Sequence, residues 1–123
     1  MRQLKKSDLK GWMIIETGYD NEKYLLLAGH LISSKMEGYV LDDFTEDLVH
    51  KTFKPVSISK VYEPVKLNIP FELNIEKIFS EQKPKIVWER KPTKLSKKLL
   101  SEMDKKQMEK YMEEIIYPVI IVE

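Results

Sequence analysis

The chain has 123 residues, 42% apolar and 33% charged, with a formal net charge of +1 and no cysteine. This length suits one domain with a genuine core, and the charge balance gives no global pull toward nucleic acid or anionic membrane. The absence of cysteine excludes disulfides, zinc–thiolate sites, iron–sulfur clusters and thiol catalysis.

The opening "MRQLKKSDLK" has positive charge but no apolar run behind it, so it does not read as a signal peptide. Ser7 to Lys10 reads as a helical turn capped by Ser7 and ended by Gly11. "WMIIET" (Trp12–Thr17), rich in branched and aromatic residues, predicts a strand, with Trp12 packing in the core or at its rim. Turn chemistry in "GYDNE" (Gly18–Glu22) leads into the returning strand "KYLLLAG" (Lys23–Gly29). "HLISS" (His30–Ser34) and "GYVL" (Gly38–Leu41) form a second predicted hairpin around "KMEG". After an acidic loop, "VSISKVYE" (Val56–Glu63) alternates apolar and polar residues until Pro64 stops it. Short strands at this spacing, with polar turns between them, predict a small SH3-like β-barrel over residues 1–64.

Residues 65–123 predict a helical extension packed on that barrel, the whole making a single α+β domain. An extended entry from Pro64 precedes one or two helical turns at Asn74–Glu81, and "KIVWER" (Lys85–Arg90) reads as a short strand. Leu95 to Glu114 reads as a helix whose apolar face carries Leu99, Met103, Met108, Tyr111 and Ile115, with a break available at Ser101–Asp104. The helix methionines Met103, Met108 and Met112 read as core. "YPVIIVE" (Tyr117–Glu123) predicts a final strand, which Pro118 places at an edge, and the apolar run Ile115–Val122 is too short to span a bilayer.

Three segments in this order, "SDLKGWMIIET" (7–17), "LDDFTEDLVHK" (41–51) and "SISKVYEP" (57–64), resemble small uncharacterised proteins encoded by phages and prophages of Gram-positive bacteria. The resemblance lies in a Leu-Lys-x-Gly opening, an Asp-Asp-aromatic corner and an Ile-x-Lys-Val-Tyr strand. "WER" (88–90) and "KLSKKLL" (94–100) extend it, whereas "IIYPVIIVE" (115–123) departs from it. It implies no catalytic residues. It implies a gene acting inside a bacterial host cytoplasm.

Two stretches carry candidate chemistry. Tyr39–Lys51 gathers Asp42, Asp43, Glu46, Asp47 and His50. It lacks the glycine of a calcium loop, and only His30 and His50 could join a hydrolytic metal site. The better reading is structural: Asp42 and Asp43 shape a turn, Phe44 and Leu48 plug the barrel end, and Glu46, Asp47 and His50 are solvated. No nucleophile elbow or glycine-rich phosphate loop occurs, so neither an enzyme nor a cofactor is expected. From Lys83 to Lys98, the cations Lys83, Lys85, Arg90, Lys91, Lys94, Lys97 and Lys98 face a single acid, Glu89, and enclose Trp88. Cations around an exposed aromatic suit a phosphate backbone and a stacked base; a solvated connector with Ile86 and Trp88 in the core explains the same residues. The expected function is non-catalytic protein–protein binding in a host cytoplasm, with a host-modulating or counter-defence role in view. The alternative is a nucleic-acid-binding barrel using residues 83–98. No membrane partner is expected, and the apolar C-terminal strand offers a route to homo-oligomers.

Overall fold

The computed structural model describes residues 3–66 and 74–123. Its organising element is strand β1 (Met13–Thr17), buried along its whole length. Side chains alternate across a strand, so Met13 and Ile15 enter one apolar cluster while Ile14 enters another on the opposite face. Strands β2 (Lys23–Leu27), β3 (His30–Ile32) and β4 (Gly38–Val40) follow as a meander, with Ile15 opposite Tyr24, Leu26 opposite Leu31 and Leu31 opposite Tyr39. A β-carbon at Gly38 would overlap the Leu31 carbonyl, so only glycine permits this approach of β4 to β3. Strand β5 (Ile58–Pro64) pairs with the other side of β1, and β6 (Ile86–Glu89) pairs with β5.

The protein is therefore α+β, with a six-stranded antiparallel sheet ordered β4-β3-β2-β1-β5-β6. Register shifts in the β1–β5 and β5–β6 pairs bend it. The sheet is open: β4 and β6 are its outermost strands, and no ladder joins them among the described residues. Met13, Ile15, Leu26, Leu31, Phe44, Leu48, Ile58, Val61 and Trp88 fill one face. Helix α1 (Ile75–Glu81) starts where expected because the Asn74 side chain accepts from the Lys77 amide at 3.0 Å. It closes the other face by burying Ile75 and Ile78 against Ile14, Leu25 and Val65. The extended entry expected through 67–73 lies outside the described residues.

The C-terminal third departs from the single long helix expected from Leu95. Leu95 and Ser96 end a strand, β7 (Thr93–Ser96), and the Ser96 hydroxyl then caps α2 (Lys97–Glu102). A second helix, α3 (Lys105–Met112), starts at Asp104, whose carboxylate accepts from the Gln107 amide at 2.7 Å while the Gln107 side chain accepts from the Asp104 amide at 3.1 Å. This reciprocal cap offers the backbone an alternative to continuing α2, so the break falls at the site read from the sequence. Neither helix buries a residue completely. Leu99 is exposed and Met103, Met108 and Met112 are half-buried, so the expected core stripe is a surface groove instead; Ile115 alone of that face is fully buried.

Strand β8 (Val119–Val122) pairs in parallel with β7 as a separate two-stranded sheet, Thr93 opposite Val119 and Ser96 opposite Val122. Tyr117 packs edge-on against Tyr19, and a β-carbon at Gly18 would overlap the Tyr117 carbonyl. Trp12, expected in or at the rim of the core, precedes β1 at φ 72° with 37% of its surface exposed. Its amide donates to Leu26 at 2.8 Å, and this bond fixes the turn into the strand. Among the described residues, no helix is long and apolar enough to cross a membrane.

Candidate functional site

The acidic loop resolves into a short 3-10 turn, Leu41–Asp43, followed by Phe44 and Leu48, both fully buried. Asp42, Asp43, Glu46 and Asp47 are exposed. His50, expected in solvent, is instead 8% exposed, because it bridges back to Phe44 and packs edge-on against the Tyr39 and Phe44 rings. Its Nδ1 accepts from the backbone amides of Thr52 at 3.3 Å and Phe53 at 3.0 Å, while its own amide donates to the Ser57 hydroxyl at 2.9 Å. The imidazole thus stands in for a backbone carbonyl in a turn. Burial pushes its pKa below the ordinary histidine value, with the nearby Asp43 charge pulling the other way. No group of three or more histidines and carboxylates is arranged to hold a metal among the described residues.

The basic stretch separates into two populations. Trp88 is 8% exposed and lies opposite Val61 in the main core. Arg90 turns inward beside it, its guanidinium 5.1 Å from the Trp88 ring. Arg90 Nε donates to the Ile58 carbonyl at 2.9 Å, and Nη2 donates to those of Asp47 at 3.0 Å and Leu48 at 3.2 Å. Arg90 therefore ties the acidic loop to β5. Burial lowers its pKa, and the neighbouring Asp47 charge opposes that shift.

The remaining cations, Lys83, Lys85, Lys91, Lys94, Lys97 and Lys98, are exposed. Lys97 Nζ lies 4.0 Å from Glu123 with both side chains largely solvated, which contributes little. Lys83 and Lys85 precede β6, Lys91 and Lys94 follow it, and Lys97 and Lys98 open α2. Between the first two pairs Ile86 and Val87 are exposed side by side, although Ile86 was expected in the core with Trp88. The register shift between Val61 and Tyr62 allows two consecutive apolar residues of β6 to stay outside. Beside this strand runs a groove of about 500 Å³, lined by Leu4, Ser7, Asp8, Lys10, Met13 and Val87. A second groove, about 450 Å³, lies along Leu99, Met103 and Tyr111 with Glu102, Lys110 and Glu114 at its rim.

One polar pair escaped the sequence reading. Glu16 sits inside β1 with 7% of its surface exposed and accepts from the Tyr62 hydroxyl at 2.8 Å. Burial, and then the bond to Glu16, pushes the Tyr62 pKa up to about 12. The signal available in sequence was a lone carboxylate within the apolar run "MIIET". The pair joins β1 to β5 and satisfies a buried acid. Comparison with protein-family models, curated proteins and solved structures found no match.

Proposed function

We propose that this chain is a non-catalytic protein-binding domain, a phage or prophage accessory protein that acts in a bacterial host cytoplasm. The observation that carries the binding reading is the outermost strand β6. It presents Ile86 and Val87 to solvent while Trp88 and Arg90, the groups best suited to stack a base and hold a phosphate, turn into the fold. A buried tryptophan cannot stack on a nucleotide, so the lysines are left with a charge effect that lacks its aromatic anchor. The phage setting and the host-modulating role rest on the resemblance of residues 7–17, 41–51 and 57–64. The finer fold reading, a strongly bent SH3-like barrel, is supported by β5 returning to pair with β1 and by the 3-10 turn Lys54–Val56 just before it.

Affinity capture from host lysate, with and without nuclease, tests the function. A protein should be retained stoichiometrically after nuclease treatment. Recovery of nucleic acid, with every protein lost on digestion, would favour the alternative, an oligonucleotide-binding barrel using residues 83–98.

A further inference from the structure

We infer that β6 takes up an extended, acidic-ended segment of a partner protein as an added antiparallel strand. This rests on the protein-binding reading above and names the partner's chemistry. An outer strand carries unpaired backbone donors and acceptors along its free side, and an incoming chain can satisfy them. In β6 the inner side is occupied: the Arg90 amide donates to Ser59 at 2.8 Å, and the Lys85 carbonyl accepts from Glu63 at 2.9 Å. Among the described residues nothing pairs with the outer side.

Charge selects the occupant. Lys83 and Lys85 stand just before the strand and Lys91 just after it, all exposed, with no described carboxylate at ion-pair distance. Four strand residues cover roughly 13 Å at about 3.3 Å each. A partner of about six to eight residues would therefore meet lysines at both of its ends. Exposed Glu89 disfavours an acid directly opposite it, which leaves the middle of the partner for β-branched residues against Ile86 and Val87. The groove along Leu4, Met13 and Val87 gives one of those side chains a seat.

A second copy fits less well. Two β6 strands paired antiparallel would set Lys85 of each near Lys91 of the other, and like charges placed opposite are destabilising. The other outer strand, β4, has Glu37, Asp42 and Asp43 around it with Lys35, so it offers an acidic segment no attraction.

The test titrates the full ¹⁵N-labelled chain with three synthetic octapeptides of central valines and threonines: one with glutamates at both ends, one with lysines there, and the glutamate peptide with alternate backbone amides methylated. Resonances of Ile86–Arg90 should move with the glutamate peptide. Its dissociation constant should be at least tenfold lower than for either of the other two, and the double variant Lys85→Glu/Lys91→Glu should reverse the charge preference. Equal binding of the lysine peptide, insensitivity to methylation or shifts confined to the Leu99–Tyr111 groove would each overturn the proposal, and the wild-type comparison stands even if the double variant fails to fold. Tighter binding of a single-stranded oligonucleotide to the same resonances, or concentration-dependent dimerisation through β6, would overturn it as well. A host protein that is captured but crosslinks away from β6 would overturn this assignment while leaving the protein-binding function in place.

Discussion

Arg90 and Trp88 act together as a structural clamp. The planar guanidinium reaches three carbonyls on two segments while it stacks on the indole, a geometry that lysine cannot reproduce. Trp88→Ala should therefore cost about 3–5 kcal/mol of stability. In a Trp12→Phe background the remaining tryptophan emission should be blue-shifted in the native protein; emission typical of a water-exposed indole would contradict the burial. His50 supplies a pH dependence. Its pKa is lowered on folding, so the unfolded chain takes up the proton first. The stability tied to neutral His50 is thus complete above the unfolded value of about 6.5 and is lost as pH falls from there toward the folded value. Protonation would also turn a donor toward the amides of Thr52 and Phe53. Urea midpoints should drop between pH 7.5 and 5.5, and His50→Gln should flatten that drop. An unchanged slope in the variant would assign the dependence to other groups.

At the scale of elements, the weakest part of the fold is the β7–β8 pair. A two-stranded sheet is marginal by itself, and Ile120 and Ile121 remain exposed on it. Deleting Val119–Glu123 should lower the thermal midpoint by several degrees and promote aggregation, read by calorimetry and light scattering. A truncated protein that melts like the parent and loses a dimer peak in size-exclusion chromatography would instead make β8 a self-association strand. The hairpins of β1 to β4 and strands β5 and β6 were legible as elements because short runs of branched and aromatic residues lie between turn residues, and α1 because a helical stretch follows Asn74; the burial within β6 was not, since Ile86 stays outside. The C-terminal third was less so. "KLSKKLL" satisfies helix periodicity, yet Leu95 serves a strand because Val119–Val122 is within reach to pair with it, a contact between segments over twenty residues apart. His50 was misplaced for a similar reason. Histidine in an acidic stretch reads as surface, and the turn of backbone amides that its ring satisfies exists only once Phe44 and Leu48 are buried. The cations at 83–98 were legible as a group, but their division into a half-buried, inward-turned Arg90 and outward lysines depends on carbonyls at Ile58, Asp47 and Leu48.

Across the whole molecule a net charge of +1 conceals segregation. Exposed acids gather at Asp42–Asp47 and exposed lysines flank β6, so the local charge at each departs from the molecular mean, and its influence weakens as salt rises. The strand order has a further consequence, in time. β1 meets β2 across a short turn, but it meets β5 only after a long excursion; Glu16 and Tyr62, bonded across that pair, are 46 positions apart. Closing such a loop must precede any reward from the contacts it makes, and sheets dominated by distant pairings fold on the order of milliseconds to seconds. The meander of β1, β2 and β3 can assemble locally, so docking β5 onto it should limit the rate. In stopped-flow refolding, Leu26→Ala and Val61→Ala should both slow folding, whereas Leu95→Ala should mainly speed unfolding. A Leu95 variant that slows folding as much as Val61→Ala would mean that the β7–β8 pair is already formed at the barrier.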